Sequence, residues 1–414
     1  MFLTMKKNKT RMPTCQIVIY VSFMSIFLFC QAHESGYHIT PKNIADAFIN
    51  PSSNFADSLA SAKTPIDKWN SDVAGAVKTG MGATGNFTQV LTDSSGVGYT
   101  LGWKTPANIR PDTTYPLVIY LHGGTGSPLT TKGEKAYDML APLSDTFQLF
   151  LASPSANRFA PWWSPEGTNR ILQTLRYMSL HYPVNPDKVF LAGVSDGATG
   201  SYGIANTACH PFAGFIAVSG FGGMLQSVAM PLVPGNIGQR PIYNVNAGKD
   251  RIYDIAQVNM FLDWLGSNGV NVIRKVYPDE LHGFDYRDKE FGTIASFIRN
   301  WTKPRANINI DWTFVPGFTS CVDDIVSCKF DDKAAARHIS AIWSNDTLNI
   351  TSEGIKEIIL TFPGIDKDGI LVRKNNNPAR KIKASTETSL LAYLCMLHEC
   401  NPKAKLTKCY KINF

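Results

Sequence analysis

Short apolar, β-branched segments recur from residue 87 to residue 276, with helical patterns between many of them, and this constrains the fold more than any other feature. The segments cover 87–91, 99–103, 117–121, 147–151, 189–191, 215–218, 242–245 and 272–276. Several are apolar without alternation, as strands buried on both faces are. Helical patterns over 132–143, 168–181 and 253–267 separate them, the last stopping at Asn268-Gly269. This alternation predicts an α/β protein, with a mostly parallel central sheet flanked by helices. The 414 residues leave room for further modules. We read 33–85 as an N-terminal extension with short helical pieces, 86–303 as the α/β domain and 304–414 as a C-terminal β-rich domain. No repeat at a solenoid or propeller period is visible.

Two glycine-rich segments invite opposite readings. Gly80-Met81-Gly82-Ala83-Thr84-Gly85 has the G-x-G-x-x-G spacing, but a helical pattern precedes it and a strand follows. A dinucleotide site needs the reverse, so an entry loop is expected. Gly193-Val194-Ser195-Asp196-Gly197 follows a strand and precedes a helix start with small residues Ala198, Thr199 and Gly200. A nucleophile on a tight strand–turn–helix elbow needs small neighbours of this kind.

Serine needs a general base, and the base needs a group to orient it. In a parallel sheet both belong on loops leaving later strands. Asp250 follows the strand 242–245 and His282 follows the strand 272–276, which gives the order Ser, Asp, His. A lone Asp after a strand usually caps a helix, and a lone His is usually structural. The joint placement at three strand ends makes Ser195, Asp250 and His282 the candidate triad. Asp254 comes one turn later, at a helix start, and is expected to cap it. Oxyanion donors are expected from Asp196 and Gly124, with Gly123 as the alternative, because the strand 117–121 ends in His122-Gly123-Gly124. His122 is read as a loop-orienting group. Trp162 and Trp163, after a strand expected to end at the same edge, are candidate walls of a substrate pocket. The competing reading makes one of them core and the other a lid.

Together, Leu121-His122-Gly123-Gly124, Gly193-Val194-Ser195-Asp196-Gly197, Gly248-Lys249-Asp250-Arg251 and His282-Gly283 resemble the α/β-hydrolase superfamily. Within it the chain is similar to secreted bacterial esterases of the phospholipase/carboxylesterase and polyhydroxybutyrate-depolymerase-like groups, which include feruloyl and acetylxylan esterases. Prolyl-oligopeptidase-like domains are more distant. The resemblance covers about residues 87–302, and Ala198 departs from the second glycine common in these esterases. It implies a serine esterase acting on a small-molecule or polymer-linked ester, with no metal or organic cofactor. The alternatives are a serine peptidase and a non-catalytic carbohydrate- or surface-binding protein on a hydrolase scaffold.

The formal charge of +7 is partly local, since four basic residues and no acidic one lie in 1–32, leaving +3 for the remainder. That argues against nucleic acid. A basic cluster from Arg373 to Lys411, which includes Lys405, reads as a solvated face. Lys6, Lys7, Lys9 and Arg11 precede an uncharged run from Cys15 to Cys30, and Cys30-Gln31-Ala32 offers small residues for cleavage. We therefore expect a signal peptide over 1–32, a secreted or periplasmic product and no stable membrane span after cleavage. An uncleaved anchor is the alternative. Bulky Phe29 argues against lipid attachment at Cys30. Six cysteines remain beyond it, and an even count in an exported chain predicts disulfides, with Cys321–Cys328 the local candidate. Cys395, His398, Cys400 and Cys409 fit no zinc spacing well, so no metal site is expected there.

Overall fold

The computed structural model describes residues 39–414 apart from 63, 78–82, 111, 305–308, 362–367, 386–387 and 405–407. The expected signal peptide, the first three residues of the Gly80–Gly85 loop and Lys405 lie outside the described residues.

Eight strands form one sheet: β1 (Asn86–Thr92), β2 (Gly98–Lys104), β3 (Tyr115–Leu121), β4 (Phe150–Pro154), β5 (Val184–Val194), β6 (Gly214–Val218), β7 (Ile242–Ala247) and β8 (Val272–Tyr277). Their spatial order is β1-β2-β4-β3-β5-β6-β7-β8. β2 runs antiparallel to β1 and β4, and every pairing from β4 to β8 is parallel. The unbroken apolar runs follow from covering both faces. Leu117, Ile119 and Leu121 of β3 join one core group with Leu191, while Val118 and Tyr120 join another with Phe190 and Ala192.

Helices α1 (Pro41–Ile49), α2 (Ser53–Ala62) and α3 (Ile66–Ala76) precede the sheet. Helices α4 (Ala141–Phe147), α5 (Pro165–His181), α6 (Asp196–Thr207), the short α7 (Pro234–Ile237), α8 (Ile255–Ser267) and α9 (Arg287–Asn300) accompany it. The strand expected over 147–151 begins later. Phe147 ends α4, and Gln148 takes a left-handed φ of 52° as its C-cap, so the apolar run is divided between helix end and strand. The helix expected over 132–143 is two short 3₁₀ turns leading into α4.

Beyond α9 lie β9 (Asn309–Thr313), β10 (Ile325–Phe330), β11 (His338–Ser344), β12 (Thr347–Glu353), β13 (Ile355–Thr361), β14 (Gly369–Lys374), β15 (Arg380–Lys383), helix α10 (Ser389–His398) and β16 (Cys409–Asn413). They make a sheet ordered β10-β13-β16 and another ordered β15-β14-β12-β11-β9. The architecture is thus a mostly parallel central sheet flanked by helices, with a β-rich C-terminal part. Trp312, Ile339, Leu348 and Ile350 of that part share a continuous core with the central sheet. Helix α10 packs against the N-terminal helices. The Tyr393 ring lies edge-on to Phe55 at 5.1 Å and to Trp69 at 6.1 Å, and its hydroxyl donates to the Ala47 carbonyl at 2.9 Å.

The expected disulfides are not formed in this structure. Cys209, Cys321, Cys328, Cys395 and Cys400 carry thiols, so the Cys321–Cys328 bridge is absent. Contact with the Cys409 sulfur, then burial, raises the Cys395 thiol far above its ordinary pKa. Among the described residues no helix is long and apolar enough to cross a membrane.

Candidate active site

Ser195 stands between β5 and α6 with φ 55° and ψ −120°. That conformation is strained for a residue with a side chain, and close packing holds it. A Cβ on Gly193 would meet Gly197 carbon at 2.3 Å, and one on Gly197 would meet the Leu121 carbonyl oxygen at 2.0 Å. Only glycine lets the elbow press against the end of β3. The Ser195 N–H donates to the Val218 carbonyl at 3.0 Å, which ties the elbow to β6.

The structure brings the three expected triad residues together. His282 Nε2 lies 2.8 Å from Ser195 Oγ, and His282 Nδ1 lies 2.7 Å from Asp250 Oδ2. The other carboxylate oxygen, Oδ1, accepts the N–H groups of Ile252 at 2.8 Å and Tyr253 at 2.9 Å. The Asp250 side chain is fully buried, and that of His282 is 17% exposed. With Nδ1–H donated to Asp250, the Nε2 lone pair faces the serine hydroxyl, so the imidazole can take its proton.

Backbone contacts between the β7 and β8 loops set this alignment. Gly248 N donates to Tyr277 O at 2.7 Å, and Lys249 N to Glu280 O at 3.0 Å. A Cβ on Gly248 would meet the Pro278 carbonyl oxygen at 2.5 Å, so larger residues would push the two loops apart. Asp254 stays outside the site. Its Oδ1 accepts from Ala256 N at 2.8 Å and Gln257 N at 3.3 Å, capping α8.

Beside the serine, the first residue of α6 is Asp196, whose N–H has no partner within the helix. Gly123 lies against Ser195, its Cβ position 3.1 Å from Ser195 Cβ and 3.7 Å from Oγ. Gly124 has its Cβ position by Lys132 Nζ, which also donates to the Gly124 carbonyl. The order expected of the two glycines is therefore reversed in proximity. His122 holds this loop as a neutral ring. Its Nδ1–H donates to Gly123 O at 2.8 Å, and its Nε2 accepts from Ala156 N at 3.0 Å. Burial pushes its pKa down to about 4.

Trp162 is not a pocket wall. It is fully buried, and its Nε1–H donates to His122 O at 2.9 Å from beneath the glycine loop. A Cβ on Gly200 would lie 2.4 Å from Trp162 Cβ, so the ring fills the space under α6. Trp163 is half-buried, with its Cβ 3.7 Å from the Cβ position of Gly203.

Sequence reasoning missed three supports. The Asp196 carboxylate accepts from Thr125 N at 2.7 Å and Thr125 Oγ1 at 2.9 Å, clamping the glycine loop to α6. Tyr253 sets its ring edge-on to His282 at 5.4 Å and its hydroxyl 3.4 Å from Asp196. Ser219 Oγ accepts from Gly283 N at 3.2 Å and steadies the histidine loop. Position carried a faint signal for Tyr253 alone, three residues past Asp250. One aromatic step further, Phe221 packs on Tyr253 and opens a cavity of about 370 Å³ lined by Met260, Phe261 and Trp264.

No protein-family model matches the chain, and no curated protein matches it. Among solved structures it is similar to a thermostable esterase, at 18% identity and TM-score 0.42, over 52% of this chain and 63% of that one. It is similar also to an acylaminoacyl peptidase of Pyrococcus horikoshii, at 14% and 0.43, over 53% of this chain and 42% of that one. A third is a fluorophosphonate-binding serine hydrolase of Staphylococcus aureus with substrate bound, at 16% and 0.43, over 53% of this chain and all of that one. The chain thus spans less than two thirds of the first two. By its strand order, its antiparallel second strand and a serine elbow between β5 and α6, the chain has the α/β-hydrolase fold.

Proposed function

We propose that this protein is a serine esterase that hydrolyses carboxylic esters through an acyl-enzyme on Ser195. The observation that carries the reading is the unbroken relay from Asp250 Oδ2 through His282 to Ser195 Oγ, with both contacts under 3 Å. In this reading His282 Nε2 takes the hydroxyl proton as Ser195 Oγ attacks the ester carbonyl. Asp250 keeps the imidazole in register and balances its positive charge. The oxyanion is met by the N–H groups of Asp196 and Gly123, with Gly124 adjacent. One such donor supplies roughly 3–4 kcal/mol of barrier reduction. The tetrahedral species expels the alcohol, which receives its proton from His282. Water then gives a proton to His282 as it attacks the acyl carbon, and His282 returns that proton to Ser195 Oγ as the acid leaves.

The cavity beside Phe221, lined by Gln226 and Gln257 as well as Met260, Phe261 and Trp264, lies two ring contacts from His282 and is read as room for the acyl or alcohol portion of the ester. Export is part of the proposal and rests on the basic stretch and uncharged run of residues 1–32. The test is turnover of a chromogenic ester series of graded chain length against peptide anilides, each with wild type and Ser195→Ala. The reading expects ester turnover that Ser195→Ala removes. Turnover confined to anilides assigns the site to peptides, and ester turnover that persists in Ser195→Ala overturns the nucleophile.

A further inference from the structure

A second buried cluster of titratable side chains lies outside this mechanism, where the C-terminal part meets the central sheet. His210 comes from the loop between α6 and β6, and His398 and Glu399 come from the end of α10. Both histidines are more than nine-tenths buried. His398 Nε2–H donates to the Asp323 carbonyl, which leaves Nδ1 as a bare lone pair. His210 Nδ1–H points to Asp323 Oδ1 at 3.4 Å, a carboxylate oxygen that Arg240 also grips at 2.7 Å. With its proton on Nδ1, His210 presents Nε2 as a second lone pair. Neither His210 Nε2 nor His398 Nδ1 has a hydrogen-bond partner, although both atoms are buried.

The third member is Glu399. Its Oε2 accepts from Lys303 Nζ at 2.6 Å, and its Oε1 lies 3.4 Å from His210 Nε2. Two imidazole nitrogens and a carboxylate oxygen therefore lie within 4.8 Å of one another. Among the described residues this is the only set of three or more such ligand groups so gathered. The Cys395, His398, Cys400 and Cys409 set weighed from the sequence is not. Electron-rich atoms facing one another without a proton between them repel, and buried polar groups ordinarily find partners. A proton on His210 Nε2 would reach Glu399 Oε1 across 3.4 Å, a contact as long as the one from Nδ1 to Asp323, and would still leave His398 Nδ1 without a partner. A cation satisfies all three.

We propose that His210, His398 and Glu399 bind one divalent ion of the zinc class, joining α10 to the central sheet. Two imidazoles and one carboxylate suit a borderline ion rather than calcium or magnesium, which favour oxygen ligands. Ligand atoms about 2.0–2.1 Å from a tetrahedral ion stand roughly 3.3–3.4 Å apart, which matches the separation of His210 Nε2 and Glu399 Oε1. Asp323 supplies the outer contacts that metal-binding histidines usually have, its carboxylate for one ring and its carbonyl for the other. The two rings stack at 3.8 Å and 18°, so loading tilts one of them to bring both lone pairs onto the ion. Both rings also line a cavity of about 270 Å³. The site shares no residue with the triad, so the ion acts as a clamp and not in Ser195 chemistry.

The test uses the full chain, stripped with a chelator and titrated with Zn²⁺ and then Co²⁺. Metal content, the visible bands of tetrahedral Co²⁺, affinity by competition and melting temperature are read, together with ester turnover. We expect one equivalent of ion, a higher melting temperature on loading and unchanged turnover. His210→Gln and His398→Gln should each weaken binding by about 100-fold or more, since loss of an outer contact alone costs about 10–100-fold. Should both fail to fold, Glu399→Gln decides, because its side chain is one-third exposed; it should weaken binding at least about tenfold. Absence of stoichiometric binding overturns the site. So does binding unchanged in these variants, or binding lost only in Cys321→Ser or Cys400→Ser.

Discussion

Two buried histidine–carboxylate clusters in one chain differ in how their lone pairs are matched. Around His282 every group faces a complementary one: Asp250 accepts three N–H groups, and Nε2 faces a hydroxyl. Around His210 and His398 two imidazole nitrogens without hydrogen-bond partners lie beside a carboxylate oxygen. The matched cluster is poised to move a proton, and the mismatched one to hold a cation. They also differ in how they are brought together. Parallel-strand topology puts the ends of β5, β7 and β8 at one edge, so each triad member had a place before the fold was known. The second cluster is joined by packing of α10 against the sheet, and no short-range pattern announces it.

The largest expected effect that sharpens this contrast is Asp250→Asn. Asparagine Oδ1 can still accept from Ile252 and Tyr253, so folding should hold, while turnover falls by up to about 10⁴-fold through loss of the imidazole's register and counter-charge. Steady-state kinetics and a melting curve on the same sample check it. Retained turnover would make this cluster structural, like its counterpart.

His122 offers a smaller and pH-dependent effect. It is neutral in the fold to about pH 4, whereas the unfolded ring titrates near 6.5. As pH falls through this window the unfolded state binds the extra proton, so stability present above pH 6.5 is lost progressively toward pH 4, by up to about 3 kcal/mol. Urea unfolding at several pH values should show this slope in the wild type and a flatter one in His122→Gln. Equal slopes would assign the acid sensitivity elsewhere, with the second cluster the next place to look.

The smallest effect separates triad acid from cap. Asp254→Ala should cost about 1 kcal/mol as a lost α8 cap and leave turnover unchanged. Lost activity in a folded Asp254→Ala would erase the distinction from Asp250.

What was legible in the sequence follows the same division. The strands, the elbow glycines and the Asp250 and His282 loops carry local signals, because tight backbone approach at Gly193, Gly197 and Gly248 tolerates no side chain. Helix α10 was not legible. Its run Ser389–His398 is apolar on several sides, since Tyr393 meets the N-terminal helices while Cys395 joins Val326 and Cys409, so no amphipathic period shows. Trp162 was left open between pocket wall and core, because position after a strand cannot tell a ring under a loop from one lining a pocket. The clamp from Asp196 to Thr125 spans 71 residues and has no sequence pattern at all.

A nucleophilic Ser195 should be marked by a reagent that bonds only to an activated hydroxyl. Intact-mass and peptide mass spectrometry after treatment with an alkyl fluorophosphonate test it most directly. One covalent adduct per chain is expected, located on Ser195, absent from Ser195→Ala and formed much more slowly in Asp250→Asn. An unlabelled folded wild type, or an adduct that persists in Ser195→Ala, would contradict it.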